Sequence, residues 1–256
     1  MNKKLRIRNL VCNGVVVYWA IATLLMSSAL ASPHGSGKDT LVAPSRHKQM
    51  EVPDDKYIPV PRQGMQVSPA YRISTLGFFA VQVNVDDSSR NIVGDAANEP
   101  SIAIDQNNPT RIAIGWRQFN TVNNNFRQAG YAYTTDGGRA WRFPGVIQPG
   151  VFRSDPVLDS DLDGNFYYNS LTSVGSTFRC DVFKSSNGGA TWGTGTVAQG
   201  GDKQWMTIDK TGSPGRGNIY AFWTSSYSFC PPGFFTRSTN RNASYENCIV
   251  IPGDPF

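Results

Sequence analysis

Apolar and polar positions along this chain recur in strand-length runs and never settle into a sustained helical period. Residues 78–85 alternate as a strand does. Further on, three seven-residue stretches share one layout: Glu99-Pro100-Ser101-Ile102-Ala103-Ile104-Asp105, Asp155-Pro156-Val157-Leu158-Asp159-Ser160-Asp161, and Lys203-Gln204-Trp205-Met206-Thr207-Ile208-Asp209. Each leads through a turn-rich stretch to a second apolar run, at 111–116, 165–169 and 218–223, and then to a third, at 130–135, 181–186 and 234–239. The runs are rich in β-branched and aromatic residues, which suit a pleated, half-buried surface. The expected unit is a four-stranded antiparallel sheet, met three times.

A short motif closes each third run. It reads Thr134-Thr135-Asp136-Gly137-Gly138-Arg139-Ala140-Trp141, then Ser185-Ser186-Asn187-Gly188-Gly189-Ala190-Thr191-Trp192, then a degraded Ser238-Thr239-Asn240-Arg241-Asn242-Ala243-Ser244-Tyr245. The starts lie 51 and 53 positions apart, a period that signals a propeller or solenoid. Paired glycines accept positive φ, and the oxygen of Asp136, Asn187 or Asn240 can take backbone N–H bonds while the aromatic packs over the turn. Gly138, Gly189, Trp141, Trp192 and Tyr245 are thus turn-stapling residues. The motif resembles the Asp-box of sialidases and other BNR-repeat proteins, and that resemblance implies an all-β propeller of four-stranded antiparallel blades.

The blades fall at about 98–150, 151–201 and 202–256 within a propeller portion spanning 71–256. Three blades cannot close a ring, because closed propellers need roughly four to eight. The expectation is an incomplete propeller, with a truncated chain or self-associating units as its two explanations. Ahead of it, residues 1–31 read as a cleavable signal peptide: Lys3, Lys4, Arg6 and Arg8 precede an apolar run and Ala29-Leu30-Ala31. Residues 32–70, polar with recurrent prolines, read as a flexible leader. A secreted or periplasmic protein is expected, off the membrane once the signal is cleaved.

Export changes the reading of charge. Of 24 basic and 19 acidic residues, four basic ones belong to the signal, so the remaining chain is nearly balanced. Nucleic acid is therefore not an expected partner. With Cys12 in the signal, Cys180, Cys230 and Cys248 remain; Cys230 with Cys248, bracketing the third box, is the favoured pair, and Cys180 with Cys230 the alternative.

Both histidines, His34 and His47, lie in the leader, so a Ser-His-Asp triad or histidine zinc site has no residues to use in the body. The sialidase resemblance implies carboxylate, tyrosine and arginine chemistry. It also implies that the innermost strands begin on the ligand face, which makes Glu99 and Asp155 candidate catalytic groups. Lys203, Arg117, Arg153 and Trp205 become candidate substrate contacts. The blander readings are a loop cap or interblade pair for Glu99 and Asp155, salt bridges for the arginines, and interblade packing for Trp205. Arg72, in Tyr71-Arg72-Ile73-Ser74, matches a sialidase arginine motif except for the final proline.

No cofactor is required, with calcium the single candidate: Asp159, Asp161 and Asp163 alternate as in a calcium loop, although Ser170 stands where a closing Glu belongs. The alternative is an Asx-stabilised hairpin. Functionally the expectation is an exported propeller that binds glycan or protein at its face without catalysis, acidic sugars near Arg117, Arg153 and Trp205 included. The alternative is a sialidase-like exo-glycosidase whose complete form hydrolyses terminal sugars.

Overall fold

Fifteen strands and no helix make up residues 51–53 and 55–252, the part described by the computed structural model. The signal segment, Cys12, His34, His47 and residues 253–256 lie outside the described residues. Two small ribbons come first. Strand β1 (Val67–Pro69) pairs with β4 (Arg90–Ile92), and β2 (Arg72–Thr75) pairs with β3 (Phe78–Val81). Arg72 sits on this second ribbon with its guanidinium over the Phe79 ring.

Three antiparallel sheets follow, each built from strands adjacent in sequence. The first contains β5 (Ala96–Ile104), β6 (Ile112–Phe119), β7 (Arg127–Thr134) and β8 (Arg142–Ile147). The second contains β9 (Ser154–Ser160), β10 (Phe166–Val174), β11 (Thr177–Ser185) and β12 (Thr196–Val197). The third has three strands where four are expected: β13 (Trp205–Ile208), β14 (Ile219–Phe222) and β15 (Phe235–Ser238). Its outer edge carries one further bridge, from Phe235 to Ile249.

The sheets pack face to face through the alternation of their strands. Leu158 of β9 joins Ala103, Ala113, Tyr131, Phe166, Tyr168 and Phe183 between the first and second sheets. Its neighbour Val157 points the other way, to Tyr167, Val182, Met206, Ile208 and Ile219 between the second and third. Each aromatic buried there contributes about 2 kcal/mol through removal from water. Gly115 marks the closest approach: a Cβ there would overlap the ring of Tyr168. Among the described residues the three sheets do not close a ring, which fits an incomplete propeller.

All three boxes form one turn. Thr134, Ser185 and Ser238 donate through their hydroxyls to Asp136, Asn187 and Asn240, and those side-chain oxygens accept from the backbone N–H of Ala140, Thr191 and Ser244. The third box keeps this pattern without glycine, because Arg241 (φ 58°) and Asn242 (φ 78°) take the left-handed conformation of Gly188 (φ 78°) and Gly189 (φ 84°). Degraded in sequence, it is intact in shape. The box aromatics serve the sheet before: Trp192 meets Tyr131 and Tyr168 edge-on, and Tyr245 packs against the next interface. Asn242, first residue of the sequon Asn242-Ala243-Ser244, is buried with its amide bonded to Val182 O.

Of the expected leader, residues 32–50 and 54 lie outside the described residues. Side chains from the rest are held against the sheets: Asp55 exchanges bonds with Asn125, Tyr57 packs on Phe126, and Glu51 is buried. Proline-rich composition masks this, since the anchoring groups are single side chains with no period.

Candidate functional site

Glu99, Asp155 and Lys203 occupy one position in three successive sheets, the first of the seven-residue layout. All three adopt positive φ, 50°, 45° and 53°. This conformation is uncommon for any residue but glycine and costs of order 1–3 kcal/mol where the surroundings enforce it. In β5 the pairing register slips between Asn98 and Ser101, so Glu99 sits on a bulge. The effect is the same in each sheet: the innermost strand turns a charged side chain into a shared mouth.

Arg117 on β6 ties the group together. Its Nη2 lies 2.5 Å from Glu99, its Nη1 3.4 Å from Glu51 and 3.9 Å from Asp155, and its Nε donates to Asn98 at 2.8 Å. Lys203 Nζ stands 3.1 Å from Asp155 and 3.4 Å from Glu51. Ser154 donates its hydroxyl within the pocket, with Glu51 and Asp155 as its acceptors. Arg127 reaches Glu51 O at 2.5 Å. Gln204, next to Lys203, donates to the backbone carbonyl of Asp155.

Charge in the mouth is unevenly held. Burial works against the ionised form of Asp155, but the Lys203 ammonium and the Ser154 hydroxyl outweigh it and keep the carboxyl below its usual range. For Lys203 burial likewise disfavours the charge, and Asp155 more than compensates, raising its pKa. Glu99 and Asp202 are pushed up by burial, which Arg117 and Lys203 respectively offset only in part. Glu51, Asp155 and Asp202 can bring one oxygen each within 4.8 Å of one another. The Lys203 ammonium already supplies positive charge to two of them.

Several expected site residues go elsewhere. Arg153 is buried, donating to Asp181 at 2.7 Å, Gln148 and Ser170 O, with its guanidinium 5.0 Å from the Phe183 ring centre; it braces the second sheet and does not line the mouth. Arg117 is bound to carboxylates on three sides, so neither arginine is a ready clamp for an acidic sugar. Trp205 is 60% exposed and lies on the face of β13 turned away from the second sheet, beside Phe222 in a cavity of about 290 Å³. Its layout position is that of Val157, which carries the next sheet, so it stands on the lateral face, in a cavity that Lys203 at the edge of the mouth also lines.

The calcium candidates do not converge either. Asp161 accepts from Asp163 N, Asn165 N, Asn165 Nδ2 and Tyr167 Oη, an Asx hairpin. Asp159 takes Ile208 N and the Lys210 ammonium, and Asp163 pairs with Arg216 and Arg241. Each carboxylate is spent on its own protein partners. Cys230 and Cys248 form a disulfide across the third box, and Cys180 is a buried thiol. Glu51 had no signal in the sequence, standing alone in a proline-rich stretch.

No protein-family profile matches the chain, and no curated protein matches it. Among solved structures it is similar to a protein of unknown function from Dyadobacter fermentans DSM 18053, at 13% identity and TM-score 0.41 over 60% of this chain and 57% of that one. An exo-beta-1,3-galactanase from Phanerochaete chrysosporium shares 12% identity at TM-score 0.43 over 72% of this chain and 44% of that one. A GH43 protein from Bacillus licheniformis shares 13% at TM-score 0.39, over 60% and 30%. The chain therefore spans less than two thirds of each.

Proposed function

We propose that this is an exported, non-catalytic propeller protein that binds a glycan through the hydroxyl groups of a sugar at the mouth. The carrying observation is the left-handed conformation at Glu99, Asp155 and Lys203: conformational energy is spent three times to aim charged groups at one place. Alternating carboxylates and cations suit a polyol, since each hydroxyl both donates and accepts and charge-assisted bonds are the stronger kind. An acidic sugar suits it less. Four carboxylates, from Glu51, Glu99, Asp155 and Asp202, face three cations, from Arg117, Arg127 and Lys203.

Binding is favoured over turnover by access. Most glycoside hydrolases use two carboxyl groups flanking the scissile bond, and sialidases a carboxyl acid with a tyrosine nucleophile. Here the Glu99 side chain is 44% exposed, while that of Asp155 is buried beneath Lys203 and Ser154. The opposed acidity shifts of Glu99 and Asp155 favour a second reading, a hydrolase in which Glu99 is the acid. The disulfide supports the exported reading, since such bonds persist in oxidising compartments.

The test is glycan-array screening followed by calorimetry with Glu99→Gln and Lys203→Met, beside a panel of aryl glycosides. Binding weakened about tenfold or more by either variant, with no aryl release, is expected from the loss of one charged hydrogen bond. Aryl release abolished by Glu99→Gln would establish the hydrolase instead. A blank array would remove the glycan reading.

A further inference from the structure

Among the described residues, two sides of the molecule are left open at their inner strands, and the repeat makes them counterparts. In the second and third sheets, the fourth and sixth positions of the seven-residue layout face the sheet before: Leu158, Ser160, Met206 and Ile208 are all buried. The third and fifth positions face the sheet after. There Ser101 Oγ accepts from Leu158 N at 2.9 Å, and Asp159 Oδ2 accepts from Ile208 N at 3.0 Å. In the first sheet the fourth and sixth positions are Ile102 and Ile104, which are 54% and 47% exposed. In the third sheet the third and fifth positions are Trp205 and Thr207, both exposed, with Phe222 beside Trp205 in the same cavity.

We propose that these sides dock on each other in a second copy of this chain, head to tail, with Ile102 meeting Trp205 and Ile104 meeting Thr207. The chain already makes this interface twice internally, through the same layout positions. One molecule carries both missing halves, so a second copy continues the established packing without a new kind of contact. Two such heterologous contacts close a twofold ring of six sheets, inside the roughly four to eight that propellers use.

The outer part of the opening fits as well. Met65, Val83 and Ile92 from the amino-terminal ribbon region cover Trp116 and Phe143 on the first sheet and leave β5 bare. The third sheet, three strands wide, is narrower than the other two. The lateral faces alone make this contact, whatever the mouth binds.

Sedimentation velocity on the purified chain tests it at about 100 µM, well above the micromolar limit expected of a standard-sized interface. The expected species has twice the mass of the purified chain, and Ile104→Glu returns it to monomer. The double variant Ile104→Cys/Thr207→Cys should give a covalent dimer on a non-reducing gel, and each single variant should not. The cross-link reports the interface even if Ile104→Glu misfolds. A wild-type monomer would leave the two sides to another occupant and overturn the proposal. So would open-ended growth with concentration, a dimer indifferent to Ile104→Glu in a folded variant, or a double-cysteine chain that fails to cross-link.

Discussion

Asn242 of the third box donates its side-chain amide to the carbonyl of Val182, 3.0 Å away in the sheet before. Its backbone N–H goes to Ser238 Oγ and its side-chain oxygen takes the Tyr245 hydroxyl. A residue in the left-handed region thus earns its place by joining two sheets. Asn242→Gly should keep the turn and lose the bond, lowering stability by about 1 kcal/mol. Asn242→Val adds backbone strain at φ 78° and should cost about 2–3 kcal/mol. Urea denaturation measures both, and equal losses would show that the backbone conformation is unimportant.

The first box differs from the others in being ionisable. Asp136 Oδ1 takes the Thr134 hydroxyl and the N–H groups of Arg139 and Ala140, and with the Thr134 bond leading these hold its carboxyl below the usual range. A depressed folded value means the stabilisation is present above the unfolded pKa of roughly 4 and fades as pH falls through the folded one. Asp136→Asn, which copies the other two boxes, should remove that acid limb while preserving the fold. An unchanged acid limb in thermal melts would show that Asp136 does not contribute to it.

At Arg153 the issue is structural support. Arg153→Met leaves the buried Asp181 carboxylate with Arg179 alone, at 3.1 Å, and should cost about 3 kcal/mol, the low end for a broken buried pair. The loss should appear in unfolding without ligand. A stable variant with weakened sugar binding would return Arg153 to the mouth.

Lys203→Met should raise the Asp155 pKa, because the ammonium is the largest influence opposing burial. The linkage runs both ways. Asp155, depressed, stabilises above its unfolded pKa of roughly 4 and loses that as pH falls; Lys203, raised, stabilises below its unfolded value of roughly 10.4 and loses that as pH rises through the folded one. The variant should flatten the stability profile at both ends. Carboxyl NMR titration follows Asp155 directly, and an unmoved Asp155 would separate the two groups.

Period and alternation made the sheets legible, because both are properties of many residues at once. The third box was harder to read: Arg241 and Asn242 replace glycines, and only tertiary bonds such as that to Val182 reveal that they hold the same φ. Glu51 was illegible for a related reason, since it joins the mouth from a segment with no repeat, 48 positions before Glu99. Arg153 and Trp205 were visible as residues, but the sides they face follow from strand pleat and sheet order, which composition does not carry. The aspartates of 159–163 show the opposite case, where a motif matches and local hydrogen bonds use it up.

The left-handed residue that opens each inner strand has a consequence for how such a mouth can change. Because Glu99, Asp155 and Lys203 share one backbone geometry while their side chains carry opposite charge, the scaffold is indifferent to which functional group stands there. Each sheet then behaves as an interchangeable cartridge. New specificity needs a single codon per sheet, with the cores at Tyr168 and Ile219 left untouched.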